Sequence, residues 1–541
     1  VRRSGLPLRD PRRVAPVALA AALAAAYAIL SPPSLDLAAH LLRARLFSAE
    51  GFGLWNNWWY GGHHILLYSV LFPAVASVLG PQVAAAIAAT VTAILFDALV
   101  HRHWGERAWL GSLWFAAGTA TSLYTGRLTF AFGLAGAVAT ALALQRRRPA
   151  IACALALLTA LGSPVAALFA ALAGAADVLG GVVGRRRLSA AAPGVAVALV
   201  ALAPVGLLAL AFPEGGTEPF AFSAFWPIPV MAAGALALVD RRDTKLVAGV
   251  VLYTLGCVAS FALSTAIGSN SARLGELVAG PLAALVLWPR RRWALLALAP
   301  PLLYVQWHAP VRDLTTAVGD PTGTSAYYRP LLRFLERQPG PPFRVEIPFT
   351  RFHWEAYAVA PRFPLARGWE RQLDIERNHL FYGGRLDPAT YRAWLRQLAV
   401  RYVAVSDGGL DYSAVREVAL IDRGLPYLRL VARLAHWRVY RVLGATGLAG
   451  GAATLTAIGP DWLALRATRP GPVYLRVRYT PYWAITRGSG CVAPAGQFTR
   501  LELRRGGPVR VAIRFAVDRI GAANPRCDSG KGHDVAGGGR R

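Results

Sequence analysis

Long apolar runs recur along this 541-residue chain up to about Trp307, and then they stop. They are Ala-, Leu- and Val-rich and roughly 14 to 23 residues long, and most suffice for a hydrocarbon core of about 30 Å. The first part of the chain therefore reads as a polytopic helical membrane protein. The remainder is too polar to span a bilayer and long enough for one or two folded domains.

Eleven spans are expected near 14–31, 82–100, 108–124, 127–144, 149–163, 165–183, 190–212, 219–239, 246–265, 275–288 and 292–307. The basic clusters fix their direction. These are Arg2, Arg3, Arg9, Arg12 and Arg13; His101 to Arg107; Arg146 to Arg148; Arg185 to Arg187; Arg241, Arg242 and Lys245; and Arg290 to Arg292. With eleven spans, every cluster falls on the cytoplasmic side and the C-terminal part falls outside. Counting the apolar stretch 65–79 as a twelfth span reverses every later loop. The charge pattern thus predicts that 65–79 does not cross, and with Pro73 near its middle it fits an interfacial or re-entrant helix. Span 1 is read as a retained anchor rather than a cleaved signal, because its apolar stretch is long and Pro32-Pro33-Ser34 follows directly.

The expected organisation is a transmembrane domain over 1–307 with a catalytic outer loop at 32–81. An extracytoplasmic α/β domain follows over 308–445, then a β-sandwich over 446–527, and 528–541 is disordered. Within the α/β part, Tyr327, Leu331, Leu332 and Leu335 make a one-faced helical stripe after Ser325, and Asp387-Pro388 opens another helix. Period-two alternation dominates Thr454 to Val517.

The net charge of +29 does not require nucleic acid, since much of it lies in short loops between spans. The part from His308 still holds 35 Lys and Arg against 18 Asp and Glu. That surplus suits anionic lipid headgroups, phosphate-linked donors or an acidic envelope polymer, and general arginine richness explains it equally well. Cys153 and Cys257 fall within apolar spans as inert packing residues, which leaves Cys491 and Cys527 as a disulfide candidate if the tail is outside. No zinc-ligand spacing occurs among the four cysteines.

The first outer loop holds the residues best suited to chemistry. Asp36 lies just beyond span 1, where a carboxylate stays ionised and meets a headgroup, as a general base requires. His40 shares its helical face as the second catalytic candidate, and with His63 or His64 could hold a phosphate or a divalent metal; His63 and His64 are also candidates for binding the sugar or acceptor. Trp55, Trp58, Trp59 and Tyr60 stack on sugar rings or anchor the loop at the interface, with Gly61, Gly62, Asn56 and Asn57 between them. Arg273 and Arg127 are the outside arginines placed to meet a phosphate leaving group. Arg273 is preferred because Asn270 and Glu276 supply polar neighbours. Two stretches of the tail, Arg367–Asp374 and Asn378–Tyr382, bind an acceptor above the loop or form a solvated surface around a buried Trp.

An acid after the first span, the loop Trp55-x-x-Trp58-Trp59-Tyr60-Gly61-Gly62-His63 and a juxtamembrane segment closed by Leu79-Gly80-Pro81 go together. With about a dozen spans and an outer α/β and β tail, this layout resembles the GT-C superfamily of integral-membrane glycosyltransferases. It is similar in particular to bacterial envelope members labelled YfhO-like or 6-pyruvoyl-tetrahydropterin-synthase-related. The resemblance implies a catalytic base at Asp36, a polyprenyl-phosphate sugar donor and an envelope glycan, lipid or protein acceptor. The protein would be multi-pass in the cytoplasmic membrane, with its N-terminus inside. No D-x-D or E-x-D pattern occurs in the loop, so no cofactor is implied, although a divalent metal is compatible. A non-catalytic envelope scaffold is the alternative; a transporter or flippase ranks lower, because charge within the spans is nearly absent.

Overall fold

The computed structural model describes residues 11–184 and 191–522. Arg2, Arg3, Arg9, the Arg185–Arg187 cluster, Cys527 and the expected disordered end 528–541 lie outside the described residues.

Helix α1 (Pro11–Leu30) leads to α2 (Leu37–Glu50), a two-stranded ribbon of β1 (Trp55–Asn56) and β2 (His63–His64), and α3 (Phe72–Leu79). The chain continues through α4 (Pro81–Trp104), α5 (Trp109–Tyr124), α6 (Leu128–Gln145), α7 (Pro149–Gly162), α8 (Pro164–Val183) and α9 (Ala192–Ala211). The bundle closes with α10 (Phe222–Phe225), α11 (Pro227–Leu238), α12 (Thr244–Ala262), α13 (Arg273–Leu287) and α14 (Arg292–Ala317). Ten of the eleven expected spans are each a single helix, and 219–239 is divided between α10 and α11. Six helical segments among the described residues are long and apolar enough to cross a membrane. The fold is a polytopic helical membrane bundle. Proline opens α4, α7, α8 and α11, where its missing N–H costs no hydrogen bond.

The stretch 65–79 does not cross. Only Phe72–Leu79 is helical, and eight residues rise about 12 Å, well short of the hydrocarbon core. The expected helix is shorter than its apolar stretch because Pro73 fits only the first turn. Before it, the N–H groups of Val70 and Leu71 donate to Leu161 O (2.9 and 3.0 Å), and Ser69 Oγ donates to Gly162 O (2.7 Å). This segment is thereby tied to the turn between α7 and α8, and Gly80 reverses the chain into α4.

The remaining loops alternate as this topology requires. His103 meets Asp243 (2.8 Å), Gln145 donates to Leu99 O (3.1 Å) and Thr244 to Gly180 O (2.6 Å), all at the basic end. At the opposite end, the first loop, the loops after α5, α7, α9 and α12, and the tail come together.

The tail begins with α15 (Ser325–Glu336), whose buried stripe is Tyr327, Tyr328, Leu331, Leu332 and Leu335. It packs on a four-stranded sheet of β3 (Arg344–Glu346), β4 (Val400–Ser406), β5 (Leu428–Arg433) and β6 (Trp437–Val442), ordered β3-β4-β6-β5. Between these lie α16 (Glu355–Ala358), α17 (Arg371–Arg377), α18 (Pro388–Gln397) and α19 (Val415–Asp422). Asp387 caps α18 by accepting from Ala389 N and Thr390 N at 2.8 Å each.

The last unit is a sandwich. Its strands are β7 (Ala449–Gly451), β8 (Ala453–Ile458), β9 (Trp462–Ala467), β10 (Gly471–Arg478), β11 (Trp483–Arg487), β12 (Gly490–Ala495), β13 (Phe498–Leu503) and β14 (Gly507–Ile513). Sheets β12-β13-β10-β7 and β11-β14-β9-β8 bury Leu475, Leu501, Leu463 and Val511 between them.

The first loop is the plug between these units. Trp59 and Tyr60 pack in the core of the mixed sheet with Tyr328, Phe349 and Trp369, while Trp55 packs in the sandwich core with Leu475 and Trp483. Burying an aromatic ring of this kind contributes about 1.5–3 kcal/mol. Backbone bonds fix the seam: Leu365 N to Trp58 O (2.8 Å), Arg478 N to Gly61 O (2.7 Å) and Asn57 N to Pro460 O (2.7 Å).

Candidate functional site

Asp36 stands at the N-cap position of α2, yet its side chain makes no cap hydrogen bond. Its Oδ1 instead accepts from the indole Nε1 of Trp369 at 2.8 Å, and its Oδ2 has no hydrogen-bond partner among the described residues. The Trp369 ring is itself clamped. His353 stacks on it at 3.3 Å between centroids and 8° between planes, and the Arg371 guanidinium lies 4.6 Å from its centroid. Asp411 holds Arg371 through two bonds (3.1 and 2.6 Å) and faces His353 Nε2 at 3.6 Å. Burial alone would raise the Asp411 carboxyl, but His353 and Arg371 hold it well below the usual carboxylate range. A carboxylate at the membrane surface is thus aimed by a rigid stack that belongs to the tail.

Positive charge surrounds it. Arg127 donates to Glu276 Oε2 at 2.9 Å and is paired. Arg273 lies 5.4 Å from the Phe130 ring centroid and has no carboxylate partner among the described residues. The expectation that Glu276 and Asn270 support Arg273 holds only in part: Glu276 is ion-paired with Arg127 and reaches Arg273 through space, while Asn270 meets Arg273 through the backbone, its carbonyl oxygen accepting from Arg273 N–H. Glu218, from the loop after α9, accepts from Ser269 Oγ (3.2 Å). Burial pushes its carboxyl up; Ser269, Arg273 and Arg371 oppose that rise, and Asp36 adds to it. The Tyr68 phenol is likewise pushed up to about 12, by burial and then by Asp36, against the pull of Arg43 and Arg273. Asp36, Glu218, Tyr68, Arg273 and Arg371 are therefore electrostatic neighbours.

His40 is fully buried, and its Nε2–H donates to Gly126 O at 2.9 Å. Gly126 has φ +75° and packs on Ser34 and the Asp36 backbone so closely that a Cβ would lie 2.5 Å from Ser34 Oγ. Burial lowers the His40 pKa to about 4. An imidazole buried in this way resists taking up a proton, which suits it poorly to holding a phosphate by charge. Its Nδ1 has no hydrogen-bond partner among the described residues. Beside it, Arg43, Phe47, Phe52, Ile65, Leu66, Val70 and Pro73 line a narrow, mainly apolar cleft. Arg43 is buried, pairs with Glu370 and lies 3.8 Å from the Tyr68 ring centroid.

The aromatic loop has a different job from the one its composition suggested. Trp55, Trp59 and Tyr60 are 2%, 0% and 1% exposed, so no ring face is open to a sugar, and Trp58 is half-buried. Trp55 Nε1 donates to Asn57 Oδ1 (2.7 Å) and Trp59 Nε1 to Ala356 O (3.0 Å). Tyr60 Oη donates to Gly368 O (2.6 Å) and accepts from Glu370 N (2.9 Å). Gly62, at φ +118°, lies against Trp55, whose ring would be 2.3 Å from an added Cβ. His63 stacks on Trp59 (4° between planes), and burial lowers its pKa to about 3. His64 is also buried; it faces Glu214 (2.9 Å) and Thr480 Oγ1 (3.1 Å), joining the loop to the sandwich. All of these are interior contacts.

The three histidines sit on separate partners, and among the described residues no group of three or more His, Cys, Asp or Glu converges as a metal site. The residues present do not fit the divalent metal considered for His40 with His63 or His64. Of the tail stretches, Arg367 is not solvated: it is 1% exposed and pairs with Asp374 (2.6 Å). Cys491 lies on β12, and its expected partner Cys527 is outside the described residues.

Sequence reasoning missed Trp369, His353, Asp411, Glu218 and Tyr68 as parts of the Asp36 neighbourhood. A dense Arg367-Gly368-Trp369-Glu370-Arg371 stretch was the available signal for one of them, Trp369.

No family model and no curated protein matches the chain. Among solved structures it is similar to ArnT from Cupriavidus metallidurans in the apo state, with 16% identity and a TM-score of 0.39 over 78% of this chain and 97% of that one. It is also similar to the Archaeoglobus fulgidus oligosaccharyltransferase, solved in complex with zinc and sulfate. There the identity is 13% and the TM-score 0.36, over 72% of this chain and 68% of that one.

Proposed function

We propose that the chain is a GT-C-type membrane glycosyltransferase, which moves a sugar from a polyprenyl-phosphate donor to an envelope glycan, lipid or protein acceptor. The observation that carries this reading is the Asp36 carboxylate, fixed through Oδ1 by Trp369 with Oδ2 open, beside an Arg273 guanidinium lacking a carboxylate partner. Asp36 Oδ2 takes the proton of the acceptor hydroxyl, whose oxygen attacks the anomeric carbon of the sugar. The bond from that carbon to the donor phosphate breaks, and the phosphate leaves with the electron pair, its charge met by Arg273 and secondarily by Arg127. The configuration at the anomeric carbon inverts. Neutral His40 keeps the loop after α5 against Asp36, and the apolar segment 65–79 helps cradle the prenyl chain.

The positive-inside rule supports an outer-face site in the cytoplasmic membrane: Arg146 to Arg148, Arg241, Arg242 and Arg290 to Arg292 all lie at the end of the bundle away from Asp36. On this reading, residues 1–307 form the catalytic membrane domain and the units at 308–445 and 446–527 are its outer domains. The test uses the purified full chain in lipid nanodiscs with radiolabelled polyprenyl-phosphate hexoses and an envelope extract as acceptor. Transfer by the wild type that falls at least a hundredfold in Asp36→Asn supports the assignment, and equal transfer by both overturns it.

A further inference from the structure

A second concave feature lies on the tail and shares no residue with the Asp36 site. It is a groove of about 640 Å³, a size that takes a small ligand or a segment of a chain. One wall is Pro339, Gly340, Pro341 and Pro342, a stiff run, and the floor is the connection Leu443–Leu448 between the mixed sheet and the sandwich. Arg401, Arg429 and Arg441 line it, and no carboxylate does.

Arg429 and Arg441 are direct cross-strand partners on β5 and β6. Like charges directly opposite one another weaken a sheet, so such a pair normally acquires a counter-charge. The same ribbon shows the contrast. Its other arginine pair, Arg433 opposite Arg438, is relieved because Arg438 Nη1 donates to Asp422 Oδ1 at 2.6 Å. Arg429 and Arg441 have no carboxylate partner among the described residues, and both are exposed. Arg401 is fixed at the groove edge by its bond to Pro339 O (2.9 Å) and by the Phe343 ring 5.0 Å away. The aromatic residues here are buried: Phe343 is 8% and Tyr402 2% exposed, so no platform exists on which a nucleobase could stack.

We propose that this groove binds an acidic polysaccharide, with its carboxylate or phosphate groups held between Arg429 and Arg441. The proposal deepens the glycosyltransferase reading by giving the acceptor a chemical class, and it rests on that reading only for the word acceptor. Binding at the groove is separable from transfer at Asp36.

The experiment titrates the full chain in uncharged nanodiscs with an oligogalacturonate of defined length, a neutral glucan oligomer of the same length, and phosphatidylglycerol vesicles. The wild type is expected to bind the oligogalacturonate with a salt-dependent affinity and to ignore the neutral oligomer. The Arg429→Gln/Arg441→Gln double variant is expected to bind at least about tenfold more weakly. Its melting temperature is expected to be unchanged or higher, since a like-charge pair is removed, so the loss is not one of folding. Asp36→Asn is expected to keep the wild-type affinity whether or not it transfers sugar. Equal binding by the double variant, no binding by the wild type, or capture of the vesicles in place of the oligogalacturonate each overturns the proposal.

Discussion

The indole N–H of Trp369 donates to Oδ1 of Asp36 at 2.8 Å, joining residues 333 positions apart. A carboxylate that follows the first membrane helix is thereby oriented by a ring clamped between His353 and Arg371 in the tail. Neither part of the chain is sufficient for this arrangement.

Trp369→Phe keeps an aromatic ring for His353 and Arg371 while removing the donor to Asp36. Sugar transfer is expected to slow about tenfold, with the KM for donor little changed, because one charge-assisted hydrogen bond that orients the base is lost. Steady-state kinetics at several donor concentrations separate this from a binding defect, which would raise KM instead.

The two arginines are expected to behave differently. Arg273 has no carboxylate to leave behind, so Arg273→Gln should weaken donor binding at least about tenfold with little change in melting temperature. Arg127→Gln leaves Glu276 without its partner and should lower the melting temperature by a few degrees. Thermal unfolding and donor titration of both variants check this, and the reverse pattern would exchange their roles.

His40 supplies a pH dependence whose sign follows from its burial. Its folded pKa is lowered to about 4 from the ordinary 6.5 of a histidine, so between those values the unfolded chain binds a proton that the folded chain does not. The stability it contributes is present above about pH 6.5 and falls as pH drops toward 4, by about 3 kcal/mol in all. His40→Gln keeps a donor for Gly126 O without a titrating ring. The difference in melting temperature between wild type and His40→Gln is expected to shift against the wild type as pH falls from 7 to 5. A difference that is flat with pH contradicts a buried neutral imidazole.

Tyr60→Phe removes a hydroxyl that bonds to Gly368 O and receives Glu370 N. Stability is expected to fall by about 1–3 kcal/mol, with the KM for acceptor unchanged. A change in acceptor KM at constant stability would instead give the Tyr60 hydroxyl a direct role in acceptor binding.

The helical bundle was legible in the sequence because apolar run length and the placement of arginines act independently and agree on eleven helices. Their agreement also excluded 65–79 as a crossing, which hydropathy alone would have counted. Pro388 after Asp387 and the Tyr327 stripe were readable because capping and helical period are local. What the sequence concealed is long-range. Trp55, Trp59 and Tyr60 look like an interfacial belt when the loop is considered alone, and they become interior only when Tyr328, Phe349 and Trp483 arrive from the tail. His63 and His64 look like ligands for the same reason. His353 and Asp411 lie in segments with no distinguishing pattern, and their part in holding Trp369 depends on a pairing that no local spacing encodes.

The shared face of loop and tail has a direct measurement. Phe52 in the first loop and Tyr412 in the tail are 60% and 65% exposed, so each accepts a single cysteine in a background whose native cysteines are replaced. A membrane-impermeant maleimide applied to intact cells is expected to label both Phe52→Cys and Tyr412→Cys. Labelling of one from outside and of the other only after the membrane is opened would place Asp36 and Trp369 on opposite sides and contradict the site.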